Sequence, residues 1–169
     1  ERYHYLQYNI IAAGEKTLNP EWFSPLIPDS SSPTIAGVYA RIGQRFEKIT
    51  EHATLSARPD ELIVSSTDVK DGNAYTQPAD YAALVHNNKT SVLWDLRQQL
   101  LTPAGGYPAI RNSYQEIMRT ANGTLRTLGN YDDDSFLMRL PLPDTARGPV
   151  ELQLKDQAGN TTLFRFALP

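Results

Sequence analysis

The stretch Pro149-Val150-Glu151-Leu152-Gln153-Leu154-Lys155-Asp156-Gln157-Ala158-Gly159-Asn160-Thr161-Thr162-Leu163-Phe164-Arg165-Phe166 decides the fold. Val150, Leu152 and Leu154 alternate with polar residues, the period of two that marks a half-buried strand. Beyond the turn, Phe164 and Phe166 are read on one face, with Leu163, Arg165 and Leu168 opposing them. Between the two runs, the Asp156 carboxylate is placed to accept backbone amides ahead of it, and Gly159 and Asn160 are residue types that tolerate positive φ. The reading is an antiparallel β-hairpin.

Outward from the hairpin, Phe136, Met138 and Leu140 repeat the alternation and stop at Pro141 and Pro143. Ala53–Ser56 and Glu61–Ser66 read as short strands around Arg58-Pro59-Asp60, Lys70-Asp71-Gly72-Asn73 as a turn, and Asn122-Gly123 as a hairpin signal after Ala109–Thr120. Two stretches satisfy both periods. In Thr34–Ile49, Val38, Ala40 and Ile42 alternate, yet Ile35, Val38, Ile42 and Phe46 lie at helical spacing; Ser91–Leu101 fits strand and helix equally. Helices are expected at Arg2–Ala13, where Tyr3, Leu6, Ile10 and Ala13 recur before Gly14, and over Tyr81–His86. Pro20, Pro25, Pro28 and Pro33 surround Ser30-Ser31-Ser32 and remove backbone donors, which makes an extended arm. Residues 1–33 are therefore expected to form an N-terminal helix and Pro-rich arm. Residues 34–169 are expected to form a β-rich, sandwich-like domain with a short helical insertion. The fold class is mainly β with helical additions, because short strands spaced by Gly, Pro, Asn and Asp favour an antiparallel sandwich over a βαβ sheet.

Composition narrows the function classes. The chain of 169 residues is long enough for a core without staples, and 40% hydrophobic with 21% charged residues is ordinary for a globular protein. Without cysteine there are no disulfides, thiolate metal sites or cysteine nucleophiles. A net charge of -3 argues against a surface that tracks phosphates, so nucleic acid is not an expected partner. The chain opens on Glu1 with no basic and apolar leader, and the expectation is an excised or processed segment, attached to a membrane protein or a longer chain.

Asp134-Ser135-Phe136-Leu137-Met138-Arg139-Leu140-Pro141-Leu142, followed by Val150 to Thr162 with its Asp156-Gln157-Ala158-Gly159-Asn160-Thr161-Thr162 turn, resembles the closing strands of bacterial immunoglobulin-like domains. The resemblance spans roughly residues 130–169. It implies an immunoglobulin-like sandwich in an extracytoplasmic module, periplasmic or at the cell surface, that binds, spaces or senses. On that basis the expected function is a non-catalytic sensory or binding domain of a bacterial envelope protein, with a protein, small-molecule or glycan ligand and room for a homodimer through the arm. The alternatives are an accessory or catalytic module of a carbohydrate-active enzyme and a structural spacer of an adhesin.

Candidate site residues follow from side-chain chemistry. Trp94 with Tyr75, Tyr81 and Tyr107 supplies flat amphipathic rings suited to a sugar or peptide, against the alternative of core aromatics. Asp132, Asp133 and Asp134, with Asp156 on the hairpin, offer hard oxygen ligands for Ca²⁺, against the alternative of a solvated turn. His4, His52 and His86 lack the three- or four-residue spacing of a helical metal pair. No G-x-S-x-G elbow, P-loop, G-x-G-x-x-G or H-E-x-x-H is present, and no catalytic residue is singled out.

Overall fold

The computed structural model describes residues 10–12, 16–18, 28–72, 79–95, 98–100 and 136–169. Its secondary structure there is β throughout. Eleven strands follow one another: β1 (Ile10–Ala12), β2 (Lys16–Leu18), β3 (Thr34–Ile42), β4 (Arg45–Ile49), β5 (Glu61–Thr67), β6 (Tyr81–His86), β7 (Lys89–Asp95), β8 (Gln98–Leu100), β9 (Phe136–Pro141), β10 (Gly148–Lys155) and β11 (Thr161–Leu168). They form two antiparallel four-stranded sheets, β4-β3-β5-β9 and β11-β10-β6-β7, and a small sheet β1-β2-β8.

The helical additions are corrected by these strands. Tyr81–His86 is β6, paired with β10 on one side and β7 on the other. Six residues give a helix too few internal bonds to offset its nucleation cost, whereas two neighbouring strands satisfy the backbone along its length. Ile10–Ala12 pairs with Lys16–Leu18 instead of continuing a helix, in keeping with the extended preference of two adjacent β-branched isoleucines. The rest of the expected N-terminal helix lies outside the described residues, as do the Asn122-Gly123 hairpin and Ala109–Thr120. β8 joins β2 in one sheet, so pairing crosses the expected boundary between residues 1–33 and 34–169.

The ambiguous stretches resolve as strands because each gains partners. Thr34–Ile42 becomes β3, between β4 and β5, and Ser91–Leu101 contributes to β7 and β8. Ala53–Ser56 is reduced to a single parallel bridge, Thr54 to Ala167. Even there Leu55 N donates to Ala167 O at 2.9 Å and Ala167 N to Ala53 O at 2.8 Å, so the segment covers the free edge of β11.

The two four-stranded sheets share one apolar core, an arrangement compatible with a β-sandwich. Val38, Ala40, Leu62, Val64, Met138 and Leu140 from one sheet meet Ala82, Leu84, Val150, Leu152, Leu154, Phe166 and Leu168 from the other. The expected β10–β11 hairpin forms, with Val150 opposite Phe166 and Leu152 opposite Phe164. Leu168 differs from expectation: it is buried on the same face as Phe166, since even-numbered residues of β11 share one side of the pleat. β5 is buried on both faces, with Ile63 as inaccessible as Leu62 and Val64. On that second face Gly37 leaves room for the Tyr39 ring, which would lie 2.8 Å from a Cβ at position 37.

Candidate functional site

Strand parity sends the core-facing residues of β5, β6 and β10 out of the apolar layer at one end of the sheets. Leu62 and Val64 lead to Ser66 and Asp68, Leu84 and Ala82 back to Asp80, and Leu152 and Leu154 to Asp156. All four of these polar residues are buried. The segment from Pro28 to Pro33 is tied onto this end. Asp71 accepts Ser30 N at 3.1 Å, Ser30 Oγ at 2.9 Å and Ser31 Oγ at 3.2 Å. Asn160 Nδ2 donates to Asp29 O at 3.1 Å and Ser31 O at 3.2 Å, and Thr162 Oγ1 donates to Pro33 O.

The hairpin turn supplies Asp156. Its Oδ1 accepts Asn160 N at 2.8 Å and its Oδ2 accepts Asn160 Nδ2 at 2.7 Å, the local bonding anticipated for Asp156, while Gly159 takes φ of 94°. Asp29, Asp68 and Asp156 thereby each present a carboxylate oxygen, all within 4.8 Å of one another. These are the residues among those described that would hold a metal. Asp132, Asp133 and Asp134 lie outside the described residues. Asp156 was legible as a candidate; Asp29 and Asp68 were not, because they come from distant segments joined only by register and by the arm's hydrogen bonds.

A second feature lies near the other end of β10. A cleft of about 450 Å³ opens between the β6–β7 turn, the start of β10 and the end of β11. Val85, Pro149 and Ala167 give it apolar lining, and His52, Glu151 and Arg165 bring polar groups to it; Val150, Phe166 and His86 border it from buried positions. Arg165 Nη2 lies 2.6 Å from Glu151 Oε2. Gln153 Nε2 donates to Glu151 Oε1 at 2.9 Å. The Gln153 bond lowers the Glu151 pKa, burial opposes it, and the Arg165 bond and charge add to the lowering. His86 is buried, and its Nδ1 has no hydrogen-bond partner. His52 is held at φ of 65° with its amide donating to Arg165 O at 2.6 Å.

The turn that frames this cleft carries a signal that strand-by-strand reading missed. Asn87 and Asn88 both take positive φ, 47° and 60°, as a two-residue hairpin turn of the primed type requires. Adjacent asparagines between two short runs of strand-length spacing announce that turn. Of the expected aromatic platform, Tyr81 and Trp94 occupy adjoining positions on β6 and β7, where Tyr81 pairs with Asp95 and Ala82 with Trp94. Tyr81 faces Lys155, whose Nζ lies 5.6 Å from the ring centroid. Tyr75 and Tyr107 lie outside the described residues.

No protein-family model, curated protein or solved structure matches this chain. No helix among the described residues is long and apolar enough to cross a membrane.

Proposed function

We propose that this chain is a non-catalytic binding domain of a bacterial envelope protein, working outside the cytoplasm, and that its ligand occupies the cleft between the β6–β7 turn and the β10–β11 strands. The cleft is the observation that carries the reading. Its volume of about 450 Å³ falls within the range of about 300–1,000 Å³ usual for small-molecule sites. Its make-up, apolar walls with a few convergent polar groups, is what orients a small polar ligand, a sugar unit or the end of a peptide. The neighbouring strands fix the walls by paired backbone, so little ordering cost falls on binding. The closing-hairpin resemblance to bacterial immunoglobulin-like domains supports the extracytoplasmic setting.

The test is amide chemical-shift mapping of the isolated chain against panels of saccharides and short peptides. Shifts clustered at His52, Val85, His86 and Arg165, with no product formed, are the expected result. Arg165→Ala then weakens binding about 10-fold or more, as expected for loss of a charge-assisted bond to ligand, while the fold persists. Turnover of a saccharide in the panel would refute the non-catalytic reading, and ligand shifts confined to Tyr81 and Trp94 would refute the choice of cleft.

A further inference from the structure

We infer that Asp29, Asp68 and Asp156 bind a divalent cation of the Ca²⁺ type, and that the ion clamps the Pro28–Pro33 segment across the end of the two sheets. Three carboxylate oxygens within 4.8 Å of one another repel when ionised, and the low accessibility of Asp68 (2%) and Asp156 (5%) limits the water that would screen them. A cation between them removes the repulsion. The spacing accommodates an ion with bonds of about 2.3–2.6 Å, and an all-oxygen, carboxylate donor set selects hard cations over zinc or copper.

One observation beyond the carboxylates, and one at a carboxylate itself, point to a ligand. Ser66 is fully inaccessible, yet its Oγ has no hydrogen-bond partner. It lies two residues before Asp68 on the core-facing side of β5, so it faces the same space between the sheets. Asp29 Oδ2 is also sealed from solvent without a partner, although Asp29 Oδ1 accepts Ser31 N at 3.1 Å. Buried oxygens left without donors cost stability, and a bound cation with its ordered water supplies what both lack. Lys70, buried beside this end with Nζ donating to Gln157 Oε1 at 3.2 Å, is the competing source of positive charge.

Calorimetric titration of the chelator-stripped chain with CaCl₂, run to about 10 mM because extracellular modules often bind at about 0.1–1 mM, tests the inference together with thermal unfolding. The expected result is one ion per chain and a Tm that rises with CaCl₂ and falls back on adding EGTA, with a smaller rise in equal MgCl₂. Asp29→Asn, on the arm and outside both sheets, is expected to weaken Ca²⁺ at least 10-fold with an unchanged circular dichroism spectrum. Ser66→Ala is expected to weaken it several-fold. No heat and no Tm shift in the parent chain, with Lys70 left as the counter-charge, overturns the inference; so does wild-type affinity in Asp29→Asn. Ligand binding at the distant cleft is read separately and is expected to survive Asp29→Asn, so the two proposals fail independently.

Discussion

Glu61 shows how a charged side chain is accommodated on a strand buried on both faces. Its Oε1 lies 2.5 Å from Arg41 Nε and 2.7 Å from Arg139 Nη2, and its Oε2 accepts Arg139 Nε at 2.7 Å. Burial acts to raise its pKa, but hydrogen bonds from Arg139 and Arg41, reinforced by their charges, outweigh it and hold the carboxyl below the ordinary glutamate range. A depressed native pKa means that the unfolded chain takes up the proton first. The stabilisation is therefore present above the unfolded value, about 4.3, and is lost as pH falls through the native one. Glu61→Gln is expected to be less stable than the parent at pH 7, with the difference shrinking below about pH 4; urea unfolding across pH 3–7 measures it. A constant difference over that range would refute the assignment. The two arginines come from strands on either side of β5, so composition alone did not reveal the cluster.

At the scale of the element, the β10–β11 hairpin was the most legible part of the chain. Alternation, an acceptor at Asp156 and a glycine at position 159 all favour the same local structure, and agreement between local signals is what makes an element readable. Gly159 takes φ of 94°, and a Cβ there would meet no atom within 4 Å. The cost of Gly159→Ala is thus conformational, about 1–2 kcal/mol for an L-residue held in that region. A lower urea midpoint with an unchanged m value is the expected outcome, and a neutral substitution would mean that the turn relaxes. β6 was misread for the opposite reason. Tyr81-Ala82-Ala83-Leu84-Val85-His86 has adjacent alanines at 82 and 83 and too few residues to express a period, so its pairing with β10 and β7 decided its state.

For the whole molecule, the decisive property is that both four-stranded sheets bury one common core. Leu62 and Leu152 sit on different sheets and both are fully inaccessible. Replacing either by Ala is expected to cost about 2–5 kcal/mol and to leave a single transition in which tryptophan fluorescence and far-ultraviolet circular dichroism coincide. Two separated transitions would show that the sheets fold as independent units. The same packing sets the candidate sites apart. About 20 Å of strand, at about 3.4 Å per residue, separates Val150 at the cleft from Asp156 at the acidic cluster.

The sequence by itself determined the β character, the closing hairpin with its turn chemistry, the Phe136–Leu140 alternation and the candidacy of Asp156, because a period of two and turn preferences are properties of neighbouring residues. Tertiary structure alone decided the state of Thr34–Ile49, Tyr81–His86 and, within Ser91–Leu101, of residues 91–95 and 98–100, where local preference is nearly balanced and hydrogen-bonded partners tip it. It also decided both candidate sites. The cleft gathers His52, His86, Glu151 and Arg165, and the acidic cluster gathers Asp29, Asp68 and Asp156. Each set comes from segments far apart in the chain, brought together by strand register and by the hydrogen bonds that fasten loop and arm to the sheets.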